Sequence, residues 1–221
     1  MPRIARIVVE EYPHHITQRG NYCQKVFSED EDYTTYLNWI KEYSKKFNFD
    51  ILAYCLMPNH VHFIAIPKKK NSLAKAFNSS HMRYSQYYNR KNNLTGHLWQ
   101  GRFYSCVLDE KHLLQAVRYI ETNPVRAKLV QKAEDWPWSS AKCHITDKED
   151  ILPLKDIKDI IEIDNWPSYL TQKEEDTIIQ KIRLNTLTGR PLGSDSFISK
   201  LEKLFGKRLH ALPRGRPKKG K

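Results

Sequence analysis

Apolar and polar positions in the first half of the chain follow two periods, one typical of strands and one typical of helices. Four short apolar stretches predict strands, over residues 12–18, 51–57, 60–66 and 102–108. Between them, apolar residues recur at helical spacing. This spacing predicts a first helix that starts at a capping box of Ser28 and Glu31, and further helices over 72–90 and 110–122.

The order of these elements predicts the fold class. Strand, helix, strand, strand, helix and strand, followed by a further helix, is the order of a ferredoxin-like split βαβ domain of the α+β class. Pro58-Asn59 between the second and third strands predicts a tight hairpin. We therefore expect a four-stranded antiparallel sheet with helices on one face.

The chain changes character after Pro137. Residues 134–176 are rich in Asp and Glu and are interrupted by proline, which predicts a connecting region with little regular core. Helical spacing returns over 172–187 and 195–206. The predicted organisation has three parts. A folded domain covers residues 1–140, a connecting region with a helical extension covers 141–206, and a basic disordered tail covers 207–221.

A strong positive charge narrows the class of partner. The 221-residue chain has a formal net charge of +12 and a pI near 9.5, and a polyanion such as DNA or RNA is the usual partner of such an excess. No Asp or Glu occurs from Lys68 through Leu108, where basic residues alternate with aromatic ones. These aromatics either stack on exposed bases or pack in the core, and the pattern leaves both readings open. They are Phe77, Tyr84, Tyr87, Tyr88, Trp99, Phe103 and Tyr104.

The end of the chain is basic as well. Residues 207–221 contain no Asp or Glu, and Arg214-Gly215-Arg216-Pro217 is similar to the AT-hook. The arginines of an AT-hook enter a narrow minor groove of DNA. A basic end without a specific role is the alternative interpretation.

Cysteine usage and hydropathy indicate the compartment. The four cysteines lie far apart and form no Cys-x-x-Cys pair, which predicts reduced thiols. Nowhere do eighteen apolar residues follow one another. We therefore expect a cytoplasmic protein without a membrane segment.

Two histidines on the third strand suggest a metal site. Side chains of a strand alternate between its faces, so His60 and His62 point to one side while Val61 points to the other. A pair of purely structural histidines is the alternative. No Cys or further His lies at zinc-finger spacing, so an open, partly solvated Mg²⁺ or Mn²⁺ site is the preferred interpretation.

The helix over 110–122 and the residues directly after it add a second candidate group. Tyr119 and Asn123 are four residues apart and share a helix face. Tyrosine serves as a covalent nucleophile when a cation or a base is near. Core packing of Tyr119 and capping by Asn123, which precedes Pro124, are the alternatives.

Three ordered motifs make the chain recognisable. They are Met57–Phe63 (MPNHVHF), Gly96–Phe103 (GHLWQGRF) and Arg118–Ala127 (RYIETNPVRA). Together they closely resemble the single-tyrosine HUH transposases, and specifically their REP-associated tyrosine transposase branch. Thr17–Asn21 and Trp136–Ser140 fit the same branch, so the resemblance covers about residues 1–140.

The resemblance implies a transposase-like enzyme that recognises a DNA hairpin, such as a REP-like palindrome, and cuts the adjacent single strand. It implies that Tyr119 is the nucleophile, which forms a 5′-phosphotyrosyl link and leaves a 3′-hydroxyl. It also makes His60 and His62 the paired ligands of a divalent metal, Mg²⁺ or Mn²⁺. Asn123 takes the place of the polar residue that completes metal binding, where many relatives have Gln. Rejoining to another 3′-hydroxyl then requires no ATP.

The DNA contacts expected from this interpretation are basic side chains. They are Arg19, His97, Arg102, Arg126, Arg214 and Arg216. Two other functions remain as alternatives: a hairpin-binding regulator without turnover, and a metal-dependent nuclease in which water attacks. The active form is expected to be a monomer or a homodimer.

Overall fold

A computed structural model describes residues 6–160, 163, 165–173 and 175–211. Its strands are β1 (His14–Arg19), β2 (Phe49–Met57), β3 (His60–Pro67) and β4 (Tyr104–Val107). Its helices are α1 (Asp30–Phe47), α2 (Ser72–Asn92), α3 (Glu110–Glu121), α4 (Asn123–Arg126), α5 (Ala141–Thr146), α6 (Trp166–Thr171), α7 (Asp176–Thr188) and α8 (Asp195–Phe205). Short 3₁₀ turns occur at Asn21–Cys23, Ala133–Asp135 and Ile157–Asp159. Among the described residues, none of the helices combines the length and apolar character that a membrane crossing needs.

The predicted ferredoxin-like fold is confirmed. The four strands form one antiparallel sheet in the order β2-β3-β1-β4, with α1 between β1 and β2 and α2 between β3 and β4. The hairpin at Pro58-Asn59 joins β2 to β3, as predicted. In the centre of the sheet, Arg19 pairs with His60 and Thr17 pairs with His62. This register brings the polar end of β1 beside the two histidines.

Helices α1 and α2 lie on one face of the sheet, as predicted, and the later helices α3 and α7 cover the other face. Ile16 and Phe63 are buried with residues of α1 and α2 on one face. Ile64 and Cys106 are buried with residues of α3 and α7 on the other. The apolar stretches of β2 and β3 are nearly continuous, and a strand with apolar residues on both sides needs cover on both.

The first helix is capped one residue later than predicted. The capping residue is Glu29, and the reciprocal partner is Asp32 rather than Glu31. The Asp32 carboxylate accepts hydrogen bonds from the backbone N–H groups of Ser28 (2.9 Å) and Glu29 (3.2 Å). The prediction of a Ser28–Glu31 box is therefore wrong by one position, because Ser28–Glu31 and Glu29–Asp32 have the same three-residue spacing.

Residues 134–176 contain more core than their composition indicates. Ile157, Trp166 and Leu170 are buried in the core cluster that includes β2, β3 and α3. The backbone of this region also bonds to the edge of β2, since Leu56 N–H donates to the Trp138 carbonyl at 2.8 Å. The prediction of little regular core is wrong here, because a few large apolar side chains among many acids suffice to bury the edge. The core cluster of the second sheet face includes residues from both sides of residue 140.

The helical extension has its predicted elements, α7 and α8. After α7, Leu192 forms a parallel bridge with Leu108, which adds a short contact beside β4. Leu201 of α8 is buried against Val107 in a third, smaller cluster. The extension is therefore docked on the sheet edge and on its second face.

Candidate active site

A cavity of about 450 Å³ opens where β1 and β3 lie beside the end of α3. It contains all four residues predicted to carry the chemistry. Its lining comprises His15, Thr17, Arg19, His60, His62, Gln100, Tyr104, Tyr119, Asn123, Arg183, Thr186 and Leu187. Two of these residues are arginines and none is acidic, so the cavity suits an anion.

The hydrogen bonds of His60 leave one ring nitrogen with a lone pair. Its Nδ1 lies 2.6 Å from the side-chain oxygen of Asn59, which can only accept, so Nδ1 carries the proton. The other nitrogen, Nε2, lies 3.2 Å from the amide of Asn123. Burial lowers the pKa of His60 to about 3, and the positive charges of Arg19 and Arg183 act in the same direction. His60 is therefore neutral at pH 7.

His62 lies beside a histidine that the motifs did not indicate. Its Nδ1 is 2.9 Å from Nε2 of His15, and the two rings are stacked with centroids 5.1 Å apart. Burial, followed by the neighbouring His60 and His15, places the pKa of His62 well below the usual value. The Nε2 atom of His62 is buried and has no hydrogen-bond partner among the described residues. An unpartnered buried nitrogen in a cavity wall is what a missing ligand would leave.

Tyr119 lies between two guanidinium groups. Its hydroxyl is 3.3 Å from Nε of Arg183, and its ring centroid is 4.6 Å from the guanidinium carbon of Arg126. Arg126 also donates to the Tyr119 carbonyl at 2.7 Å. The ring of Tyr119 meets that of His62 edge-on, with centroids 5.6 Å apart. One turn later, Asn123 at the start of α4 reaches the same cavity, so the two residues share a face as predicted.

The donors in this cavity fit a divalent metal. His62 has the unpartnered Nε2, and His60 Nε2 has a lone pair that accepts from the amide nitrogen of Asn123 at 3.2 Å. A rotation of the Asn123 amide by about 180° would turn its oxygen towards the same point. Among the described residues, no three His, Cys, Asp or Glu side chains form a candidate metal group, so an amide is needed as the third ligand. Two imidazoles and one amide are neutral ligands, and water or a substrate oxygen would complete the coordination of a divalent metal.

The predicted DNA contacts are not all near this cavity. Arg19 lines it, and Arg126 lies against Tyr119. Arg102 is exposed and lines a smaller neighbouring groove, and His97 is exposed in the segment after α2. The predictions for Arg214 and Arg216 lie outside the described residues.

Most aromatics of the acid-free segment pack in the core. Phe77, Tyr84, Trp99 and Phe103 are buried, so base stacking is the wrong reading for these four. Tyr87 and Tyr88 are half-buried against the same core. Of this set only Tyr104, which is half-buried, lines the cavity.

Three polar residues of the cavity were missed by the sequence motifs, namely His15, Arg183 and Thr186. His15 alternates along β1 with Thr17 and Arg19, so the strand period could have indicated it. Arg183 and Thr186 come from α7, three residues apart on one helix face. Nothing local in the sequence indicates that α7 docks here.

Comparison with known proteins agrees with this fold and these motifs. Residues 8–123 match the family model described as "Transposase IS200 like". The chain therefore belongs to the IS200-like transposase family, whose members are enzymes that act on DNA. This membership confirms the resemblance drawn from the motifs. The match ends at Asn123, the first residue of α4, so the rest of α4 and helices α5 to α8 lie outside it.

Individual relatives belong to the REP-associated branch. A provisionally named REP-associated tyrosine transposase of Haemophilus influenzae is 24% identical over 159 residues, which are 60% of this chain and 85% of the relative. The REP-associated tyrosine transposase of Escherichia coli is 28% identical over 94 residues, 42% of this chain and 54% of the relative. A solved REP-associated tyrosine transposase bound to a REP hairpin is similar in fold, with a TM-score of 0.54 and 21% identity over 74% of this chain and 96% of the other.

Proposed function

We propose that this protein is a DNA nickase and strand transferase that cleaves single-stranded DNA beside a hairpin, with Tyr119 as the nucleophile. The observation that carries the proposal is the convergence of the Tyr119 hydroxyl, two neutral histidines and a cationic wall in one cavity. A phosphodiester is the anion that a tyrosine nucleophile would attack in such a cavity.

The proposed reaction is a transesterification. The oxygen of Tyr119 bonds to the phosphorus, the bond from phosphorus to the 3′ oxygen breaks, and the 3′ oxygen takes up a proton from water. A 5′-phosphotyrosyl link conserves the energy of the broken phosphodiester. Attack by another 3′-hydroxyl reverses the step and rejoins the strand without ATP. The neighbouring guanidinium groups of Arg126 and Arg183 offset the negative charge that develops near Tyr119.

Transposases of this family generally use a divalent metal. In this chain His60, His62 and Asn123 would hold it, and Mg²⁺ or Mn²⁺ are the proposed ions. When bound, the metal would supply a Lewis acid for an oxygen of the scissile phosphate. The hydrogen bond from His60 Nδ1 to Asn59 keeps the ligand nitrogen Nε2 free of a proton.

The proposed substrate is a REP-like palindromic hairpin with a single-stranded flank. The structural relative was solved with a REP hairpin, and the net charge of +12 favours a nucleic acid. Among the predicted contacts, Arg19 at the cavity and Arg126 beside Tyr119 have the strongest geometric support. Arg102 and His97 are proposed as outer contacts. The cytoplasm is the proposed location, which the four free cysteines support.

Incubation with Mn²⁺ and an end-labelled hairpin that carries a single-stranded flank tests the proposal. We expect a covalent adduct of protein and DNA that resists denaturation and is absent in Tyr119→Phe. Cleavage that survives Tyr119→Phe without an adduct would indicate a hydrolytic nuclease. Tight hairpin binding without cleavage would indicate a regulator. A matched control is Tyr104→Phe, which removes a hydroxyl from the same cavity and should leave the adduct in place.

A further inference from the structure

We propose that Arg183, on a helix outside the family-matched residues, is a catalytic residue that stabilises the oxygen of Tyr119 when it carries negative charge. The inference rests on the proposed function. If it holds, the C-terminal extension contributes a residue to the proposed cleavage reaction.

The position of α7 is fixed by packing. Ile179 and Ile182 of α7 are buried in the core cluster of the second sheet face, and Thr186 is only 2% exposed. Arg183 follows Ile182 directly and is exposed, so its side chain extends from an anchored helix towards the cavity. A group on an anchored helix can be held in place before the substrate arrives, which is how charge stabilisation becomes effective.

The two arginines beside Tyr119 have different partners. Arg126 donates to the Tyr119 carbonyl and to the Thr122 hydroxyl, so part of its guanidinium holds the helix end. Arg183 has no carboxylate within ion-pair distance among the described residues, and its Nε lies 3.3 Å from the Tyr119 hydroxyl. Its guanidinium has five N–H donors in a fixed fork, so one can bond the phenol oxygen while others bond a phosphate oxygen.

The role of Arg183 applies in both directions of the reaction. Before attack, Tyr119 loses its proton to water, and Arg183 donates a hydrogen bond to the phenolate. The new oxygen–phosphorus bond forms as the bond to the 3′ oxygen breaks, and the 3′ oxygen takes a proton from water. In rejoining, the phenolate is the leaving group and receives the same hydrogen bond. Arg183 keeps its own protons throughout.

Single-turnover cleavage at saturating hairpin and Mn²⁺ tests this role. For Arg183→Gln we expect cleavage and rejoining to slow together by about 10²–10³-fold, the usual cost of losing one donor to a developing oxyanion. Hairpin affinity should change little, since the hydrogen bond to Tyr119 strengthens only when negative charge develops on its oxygen. Arg183→Lys, which keeps the cation, should restore part of the rate. Lys181→Gln removes an exposed charge from the same helix and is the matched control.

Three outcomes would overturn the assignment. Wild-type rates in Arg183→Gln would remove the role while leaving the tyrosine mechanism intact. An equal loss of affinity and rate would make Arg183 a DNA-binding residue only. Absence of a covalent adduct in the wild-type protein would overturn the proposed function and this inference with it.

A second, independent observation concerns His62. The geometry points to His15 and Thr186 as positioning residues that fix which nitrogen of His62 is available to a metal. The Thr186 hydroxyl donates to the Ile182 carbonyl at 2.8 Å, so its oxygen accepts from Nδ1 of His15 at 2.7 Å. Nε2 of His15 then has a lone pair and accepts from Nδ1 of His62 at 2.9 Å. Nε2 of His62 is thereby left without a proton, in the cavity.

Thr186→Val tests this chain of hydrogen bonds because valine has the same shape but no hydroxyl. We expect the Mn²⁺ affinity, measured by electron paramagnetic resonance, to fall about 10–100-fold, as for other partners of metal-bound histidines. In the metal-free protein, ¹⁵N NMR should show that His62 changes from the Nδ1-protonated tautomer to a mixture. Thr186→Ser restores the hydroxyl and should restore both measurements. An unchanged tautomer and affinity in Thr186→Val would overturn the inference.

Discussion

At the residue scale, different side chains are proposed to carry the chemistry and the binding of DNA. His60 and His62 are buried, neutral and directed into the cavity, while the charged groups near them are arginines. We therefore predict that His60→Ala with His62→Ala abolishes cleavage and leaves hairpin affinity nearly unchanged. Adduct formation and equilibrium binding measure the two effects. His97→Ala, at an exposed histidine proposed as an outer DNA contact, should show the opposite pattern, with weaker hairpin binding and intact cleavage at saturating hairpin. Equal loss of cleavage and affinity would show that the pair is structural.

Buried histidines make the stability of the protein dependent on pH. Burial lowers the pKa of His14 to about 4 and that of His81 to about 3, whereas an unfolded chain has the usual value of 6.5. Below pH 6.5 the unfolded state therefore binds protons that the folded state does not. The free energy of unfolding should fall by about 1.4 kcal/mol per pH unit for each such histidine between pH 6.5 and pH 4.

His81→Gln isolates one of these contributions. Glutamine keeps a hydrogen-bonding group for the Tyr36 hydroxyl, which lies 2.9 Å from His81 Nε2. Urea unfolding at pH 7.5, 6 and 5 should show a slope with pH that is shallower by one proton in the variant. A slope equal to that of the wild type would mean that His81 is protonated in the folded protein.

The sequence predicts those residues of the site that are related by local spacing. It does not predict the residues that reach the site through contacts between elements distant in sequence. The period of a strand puts His60 and His62 on one side, and the period of a helix puts Tyr119 and Asn123 together. Both relations hold in the structure. Arg183 joins them only because the buried side chains of α7 pack on the second face of the sheet. Such a contact depends on the whole fold and has no local pattern.

At the element scale, the segment after residue 140 supports the helix that carries Tyr119. Tyr119 and Asn123 face the cavity, whereas Glu121 between them is fully buried on the opposite side. Its carboxylate accepts hydrogen bonds from Ser140, from His144 and from the indole of Trp166. Residues 134–176 are rich in Asp and Glu and are interrupted by proline. This composition predicts a connecting region and does not indicate these buried hydrogen bonds.

Trp166→Phe should reveal how much this support contributes. The change keeps an aromatic ring but removes the Nε1–H group that donates to Glu121 at 2.9 Å. We expect the free energy of unfolding to fall by about 1–3 kcal/mol, because a buried carboxylate oxygen loses a partner. Urea denaturation at pH 7.5 measures it. Trp138→Phe is the matched control, since that indole stacks on Tyr33 and has no hydrogen-bond acceptor among the described residues. Equal losses in the two variants would contradict this explanation.

At the scale of the whole molecule, the positive charge of the chain lies partly in the folded residues and partly in the basic residues at its end. Several cations of the described part are paired, such as Lys91 with Asp32 at 2.8 Å and Arg83 with Glu42 at 2.9 Å. Residues 207–221 contain no acid, so their positive charge has no local partner in sequence. The end of the chain is therefore expected to contribute more to DNA binding than its length suggests.

Removal of residues 213–221 should weaken hairpin binding and flatten its dependence on salt. Each phosphate contact on a duplex contributes roughly −0.9 to the slope of log affinity against log salt, so a truncation that removes contacts makes the slope less negative. Titrations between low and moderate salt measure the slope. If Arg214 and Arg216 act as an AT-hook, their joint replacement by Gln should weaken binding most for hairpins with an A·T-rich stem, because the narrow minor groove attracts arginine. An equal effect on A·T-rich and G·C-rich stems would indicate contacts to phosphate alone. A slope unchanged by truncation would show that this segment does not bind DNA.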